Sequence, residues 1–379
     1  MFQLFLGPVR RAARACLAIE LRRAGCRRLR WRGAVVVVAA GLLAACGGGG
    51  GGSGGGTSGA ATAGSATPSG GSTVTPPPPA SITTPATPAP VIAAARALPV
   101  APVWAVYYGD ASGLTLSQVA STFKLIVIDA DPGTGTPAFS ATQIAALKAN
   151  GAKVLSYLNL GACEKSRTYW STVPSGFVSC GANTAAQLGK YSGFPEYWMN
   201  PANADYQNLI VNYVAPRLAA TGVDGFMLDN FEIVGHGTNT SAGPCDATCA
   251  QGGLDLVKQL RDRFPNLALV PNAAPVQTIG GSSGGVAFPW LIDGVLTEQV
   301  YLPSVSTSLV QQLQSWQSTE KNLGRSGFFV GSLDYASSCT ATSSAQTAWT
   351  AARQAGFSPS ISTESLDSIC WWSFLTSGS

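Results

Sequence analysis

This 379-residue chain predicts an α/β protein: a (β/α)8 barrel preceded by a signal peptide and a Gly/Pro-rich disordered linker. Three observations predict the barrel. Eight short apolar runs are interleaved with helical stretches, over roughly the length such a barrel takes. Most runs are continuous rather than alternating, as strands buried on both faces are. Polar and aromatic residues recur at the C-terminal ends of the runs, the end at which barrels of this kind carry chemistry. An open, doubly wound sheet is the rival, and it often places a Gly-rich phosphate loop after its first strand. The first run here ends Tyr107-Tyr108-Gly109-Asp110, without that loop.

Residues 1–45 read as a leader. Nine Arg and a single acid, Glu20, fall within the first 32 residues, followed by an apolar run over 34–45. A membrane-spanning helix needs about 20 apolar residues, so the run fits a signal-peptide core. Leu43-Ala44-Ala45-Cys46 resembles a bacterial lipobox. That implies cleavage before Cys46, a lipid on its thiol, and an exported lipoprotein anchored to the cell envelope. Residues 46–98 are Gly-, Ser/Thr/Ala- and then Pro-rich, a composition that buries no core and serves as a tether. Without the leader the chain carries 14 basic and 18 acidic residues, a net charge of −4. Nucleic-acid binding would need a basic face, and none is visible.

The folded domain is expected over 99–379, with strands at 103–109, 125–131, 153–160, 225–230, 267–272, 294–299, 327–333 and 370–374. Helices are expected between them. The stretch 141–150 stops at Gly151. The stretch 203–220 places Leu209, Ile210, Tyr213, Val214 and Leu218 near a 3.6-residue period, with a kink expected at Pro216. The stretch 254–264 stops before Pro265, and 307–323 and 343–355 each run up to a Gly. Beyond the leader and Cys46, six cysteines remain: Cys163, Cys180, Cys245, Cys249, Cys339 and Cys370. An even set in an exported domain points to disulfides. Sequence-near pairing would join Cys163 to Cys180, Cys245 to Cys249 and Cys339 to Cys370, one of 15 connectivities. A zinc site is disfavoured by the Cys spacing and by the single histidine, His236; no metal and no cofactor is expected.

The strand ends would gather Tyr107, Tyr108, Asp129, Asp131, Tyr157, Asn159, Glu164, Arg167, Asp229, Asn230, Asn272, Glu298, Asp334, Trp371 and Trp372 onto one face. Aromatic rings there suit sugar faces, and amides and carboxylates suit hydroxyls. Asp229 ends Gly225-Phe226-Met227-Leu228-Asp229, and Glu298 ends Gly294-Val295-Leu296-Thr297-Glu298. Two acids in matching positions, in a chain with one histidine, point to glycoside cleavage by a carboxylate pair. Asp224 and Asp293 precede the glycines that open the same strands and read as stabilising residues at the opposite end. Asp129-Ala130-Asp131 reads as substrate-binding or bracing in preference to metal-binding. Gly280-Gly281-Ser282-Ser283-Gly284 formally matches a serine-hydrolase elbow, but that elbow's histidine should follow it in the chain, and His236 precedes it.

Three motifs in order, Tyr157-Leu-Asn-Leu-Gly161-Ala-Cys-Glu164-Lys-Ser-Arg167-Thr-Tyr169-Trp170, Gly222-Val-Asp224-Gly225-Phe-Met-Leu-Asp229-Asn230 and Asp293-Gly-Val-Leu-Thr-Glu298, resemble glycoside hydrolase family 114. The resemblance spans roughly residues 100–379. It implies a barrel that cleaves α-1,4-linked galactosamine or N-acetylgalactosamine polymers, such as an amino-sugar exopolysaccharide. It implies Asp229 as nucleophile and Glu298 as acid/base, with retention, and it matches Asp129, Glu164 and Arg167 to polar positions after the second and third strands. Ala162 stands where many relatives carry an acid, and the Cys163 and Cys180 insertion departs from the pattern. A polysaccharide is thus the expected partner, with the membrane through Cys46, no nucleic acid, and a monomer. The alternatives are a non-catalytic carbohydrate-binding barrel and a hydrolase of another α-linked glycan.

Overall fold

The computed structural model describes residues 96–132, 139–325 and 327–375. The expected leader (1–45), Cys46 and nearly all of the tether lie outside the described residues. The folded unit reaches back into the stretch expected as tether: Leu98 is buried in the core, and Arg96 Nε lies 3.1 Å from Asp293 Oδ1.

Eight parallel strands build the domain: β1 (Trp104–Tyr107), β2 (Leu125–Ile128), β3 (Lys153–Asn159), β4 (Gly225–Asp229), β5 (Ala268–Pro271), β6 (Gly294–Glu298), β7 (Phe329–Tyr335) and β8 (Ser358–Ser362). Hydrogen-bonded ladders run β1-β2-β3-β4-β5 and β6-β7-β8. A parallel bridge from Asn272 to Leu296 joins the two sets. On the other side, the Trp104 indole donates to the Ser358 carbonyl at 2.7 Å and the Tyr108 amide to the Leu366 carbonyl at 2.6 Å. Seven strands fall where the apolar runs place them. The eighth does not: residues 370–372 are irregular and run into a 3-10 turn at Ser373–Leu375, and the strand is Ser358–Ser362. That segment, Ser-Pro-Ser-Ile-Ser, lacks the apolar run that marks the other strands.

Successive strand residues point to opposite sides of a sheet, and here the two sides feed two cores. Trp104, Val106, Leu125, Val127, Leu155, Tyr157, Met227, Val270, Leu296, Phe329 and Leu333 fill the barrel interior. Their alternates, such as Ile126, Val154, Phe226, Leu228, Leu269, Val295 and Val330, pack outward under the helices. The helical layer is α1 (Leu116–Thr122), α2 (Ala141–Leu147), α3 (Ala204–Leu209, continued to Ala219), α4 (Ala247–Arg263), α5 (Thr307–Asn322) and α6 (Thr342–Gln354). Ser140 and Gln143 close a capping box on α2, and Asn203 and Asp246 cap α3 and α4. Pro216 does not break α3. The helix widens to a π-turn over Ile210–Val214 just before it, which accommodates the missing N–H. Short 3-10 turns stand in place of a helix after β5 and after β8. Among the described residues no helix is long and apolar enough to cross a membrane.

An insertion between β3 and β4 forms a three-stranded antiparallel sheet, Ala162–Glu164, Glu196–Met199 and Gln187–Lys190 in spatial order. The disulfide Cys163–Cys180 ties it down, and Cys245–Cys249 and Cys339–Cys370 complete the sequence-near pairing.

Candidate active site

The interior positions of the strands, followed to their C-terminal ends, converge on one mouth. Two residues beyond Met227, Val270 and Leu296 stand Asp229, Asn272 and Glu298, with side chains on the same barrel-facing side. Asn272 Nδ2 donates to Asp229 Oδ1 at 2.8 Å and to Glu298 Oε1 at 2.7 Å. The Tyr335 hydroxyl, at the interior end of β7, donates to Glu298 Oε2. Two acceptors sharing one nitrogen at these distances lie no more than about 5.5 Å apart, short of the roughly 6.5–9.5 Å that separates the carboxyl groups of inverting glycosidases.

The backbone departs from ordinary strand geometry just after each of these three residues. Asn230, Ala273 and Gln299 have φ of 56°, 55° and 55°. Left-handed non-glycine residues cost roughly 1–2 kcal/mol each and cluster at functional sites. The turn after β3 fits against this bend: the Leu160 and Gly161 amides donate to the Asp229 carbonyl at 3.0 and 3.3 Å. A Cβ on Gly161 would fall 1.9 Å from the Asn230 carbonyl oxygen, so no side chain fits there.

A second wall of the mouth is built on Arg167. Its Nε and Nη2 donate to Glu164 at 2.9 and 3.1 Å, and its Nη1 lies 2.9 Å from Asp129 Oδ2 and 3.5 Å from Asp131 Oδ2. Arg217 takes the other oxygen of Asp131 at 2.9 Å. The Tyr157 hydroxyl donates to Glu164 at 3.0 Å, and its ring meets Tyr108 edge-on at 5.4 Å. Burial first, and then the charge of Glu164, holds the Tyr157 phenol well above its usual range.

The expected site residues therefore separate into groups. Tyr108, Asp129, Tyr157, Asp229, Asn272 and Glu298 sit at the mouth. Asp131, Asn159, Glu164, Arg167 and Asn230 are buried and brace them. Tyr107, Asp334, Trp371 and Trp372 are not brought there. Tyr107 has outward parity; it packs on Phe139 and bonds the Asp110 carbonyl at 2.8 Å. Asp334 is also outward on β7 and accepts the Tyr301 and Leu302 amides at 2.6 and 3.0 Å, fastening the loop after β6. Burial raises its carboxyl to about 6 against those donors. Trp372 lies outside β8, bonded to the Ile361 carbonyl at 2.9 Å, and Trp371 packs against Phe123, which precedes β2 at the opposite end of the barrel. The two tryptophans were expected at the mouth only because the eighth strand was expected at 370–374.

Residues absent from the expectation join the site. Tyr335 was findable, since it shares the interior parity of Phe329, Gly331 and Leu333. Glu196 and Tyr191 come from the insertion and had no such signal. Glu196 accepts from Asn159 Nδ2 at 2.9 Å. Tyr191 lies in the field of Glu232, Asp229, Glu196 and Glu298 and packs at a tilt on Trp198 at 4.5 Å, which meets His236 edge-on at 4.7 Å. His236 is part of this rim, its Nδ1 3.0 Å from the Gly243 carbonyl.

A parallel-strand barrel with paired carboxylates at its C-terminal mouth is the architecture of a glycoside hydrolase. The family model described as "Glycoside-hydrolase family GH114" matches residues 86–374, and the chain belongs to that family and is a glycosidase. Among solved structures it is similar to the glycoside hydrolase domain of PelA from Pseudomonas aeruginosa, at 15% identity and TM-score 0.53, over 70% of this chain and 96% of that one. It is likewise similar to Aspergillus fumigatus Ega3 in complex with galactosamine, at 16% identity and TM-score 0.50, over 71% of this chain and 94% of that one. No curated protein matches the sequence. The three disulfides suggest an extracytoplasmic location.

Proposed function

We propose that the protein hydrolyses an α-1,4-linked galactosamine/N-acetylgalactosamine polysaccharide, with Asp229 as nucleophile and Glu298 as acid/base. The observation that carries this reading is the Asn272 amide shared between the two carboxylates. Glu298 gives a proton to the leaving glycosidic oxygen while Asp229 attacks the anomeric carbon and forms a glycosyl ester. Glu298 then takes a proton from water, whose oxygen displaces Asp229 and restores the starting configuration. Asn272 holds both oxygens in place, and the Tyr335 hydroxyl orients Glu298 from the other side.

The sugar class is supported by charge. Around the mouth Asp129, Asp131, Glu164, Asp229, Glu232 and Glu298 outnumber the guanidinium groups of Arg167 and Arg217, which suits a cationic amino sugar. Ega3, solved with galactosamine, points the same way. The chain acts as a monomeric lipoprotein held to the envelope through Cys46, with the stretch between Cys46 and Arg96 as its tether.

The test is the full chain, produced under conditions that form its disulfides, on partly deacetylated α-1,4-galactosaminan, with released oligosaccharides followed by mass spectrometry. Fragments from the wild type and none from Asp229→Asn or Glu298→Gln support the whole reading. Fragments from all three remove the assigned pair. No fragments from folded wild type would shift the weight to another α-linked glycan or to carbohydrate binding without turnover.

A further inference from the structure

Glu196 sits on the insertion, far from Asp229 in sequence, yet it is one hydrogen bond from the residues that hold Asp229. Asn159 ends β3 directly beside Asp229 on β4. Its Nδ2 donates to Glu196 Oε2 at 2.9 Å, and its Oδ1 accepts the Ala162 amide at 2.8 Å and Asn230 Nδ2 at 3.0 Å. Asn230 is the left-handed residue next to Asp229, and the Asp229 carbonyl is bonded by the same β3 turn. Glu196, Asn159 and Asn230 thus form one buried chain ending at the backbone of Asp229.

Glu196 is 6% exposed and stands opposite Glu164 in the antiparallel register. Glu164 already occupies two N–H groups of Arg167 and the Tyr157 hydroxyl. A second carboxylate charge at this place would be buried beside the first. We propose that Glu196 is a positioning residue for the cleavage reaction, a neutral carboxylic acid that holds the Asn159–Asn230 pair and through it Asp229.

The groups facing it agree. Desolvation, then Glu164 and Asp229, push the Glu196 carboxyl up to about 9, while the Asn159 amide and the more distant Arg167 pull it down. The phenols of Tyr157, Tyr191 and Tyr206 feel its charge from β3, the insertion and α3. A carboxyl raised on folding binds its proton more tightly in the folded state. Its stabilisation is full below the ordinary glutamate range and is lost as pH rises through about 9.

The role in catalysis rests on the two-carboxylate reading, and the experiment separates the two. Without substrate, the wild type at pH 7 should show a protonated-carboxyl infrared band that Glu196→Gln lacks. The fall of wild-type Tm with rising pH should flatten in the same variant. The Asn159 and Asn230 side-chain amide resonances should stay in place in Glu196→Gln and move in Glu196→Ala. On the glycan the wild type cleaves, Glu196→Gln should keep kcat within about threefold, and Glu196→Ala should lose about tenfold or more with KM little changed, the pattern of lost transition-state positioning. An unchanged infrared band and Tm slope in Glu196→Gln, or full kcat or unmoved amide resonances in Glu196→Ala, overturns the proposal. If the wild type cleaves nothing, the function reading falls, and the infrared and amide measurements still decide this one. If Glu196→Ala does not fold, the band, the Tm slope and the kcat of Glu196→Gln decide it.

Discussion

Strands β4 and β6 carry an acid at each end, and the two ends use them differently. At the N-terminal end, Asp224 accepts the Val154 amide at 2.9 Å and pairs with Lys148 at 2.9 Å and Lys153 at 3.7 Å. Asp293 accepts the Leu269 amide at 3.0 Å and pairs with Arg261 and, at 3.1 Å, with Arg96. Each stitches its strand to the preceding one and meets cations. At the C-terminal end, Asp229 and Glu298 share a neutral amide, and Glu298 also meets a phenol. These donors fix the carboxylates without supplying a compensating charge. A carboxylate flanking the same strand is thus a clamp at one end, where its partners are cations, and in the proposed reaction a reagent at the other, where they are dipoles.

The largest expected effect tests the reagent end. Asp229→Asn and Glu298→Gln should each lower kcat by about a thousandfold or more, the scale of general acid–base and covalent chemistry, with Tm nearly unchanged. A Tm loss of the size seen at the clamp end would erase the distinction. Asp293→Ala should do the reverse. It leaves Arg261 without its buried partner, a change worth about 3–5 kcal/mol of stability, readable by urea unfolding, while kcat of the folded fraction holds. Asn272→Ala removes both hydrogen bonds to the carboxylates and should cost kcat/KM about a hundredfold or more, since each bond to a charged group contributes about 1.5–3 kcal/mol. Tyr335→Phe removes one donor from Glu298 and should cost less, about tenfold, with KM the smaller contributor. The smallest effect belongs to Ala273→Gly, which should raise stability by about 1 kcal/mol by relieving the left-handed backbone at φ 55°. A Tm that falls instead would mean the bend is not strained.

Legibility followed the same division. Phe226-Met227-Leu228 is an unbroken apolar run and Val295-Leu296-Thr297 a strand-prone one, so their strands and the acids that end them could be read directly. Asp224 and Asp293, next to glycines, read as structural residues; a Cβ on Gly225 would lie 2.3 Å from the Ala268 carbonyl oxygen, which explains the small residue beside the clamp. Parity along a strand separates Tyr108 from Tyr107 and Tyr335 from Asp334, a signal present in the chain but applied only once the interior face is known. The eighth strand was hidden, because Ser358–Ser362 buries small polar side chains while the apolar 370–374 segment covers the outside of β8 in place of a helix.

The sequence by itself determined the barrel, seven of its strands and the two carboxylates at the ends of β4 and β6, because strand burial and strand-end position are local properties of hydrophobic pattern. Only the tertiary structure decided the partners. Asn272 reaches both acids from β5, Arg167 and Glu196 reach the mouth from an insertion, and Trp371 and Trp372 turn away from it. Which side chains meet across strands depends on register and on the path of the loops, and neither leaves a periodic mark in the chain.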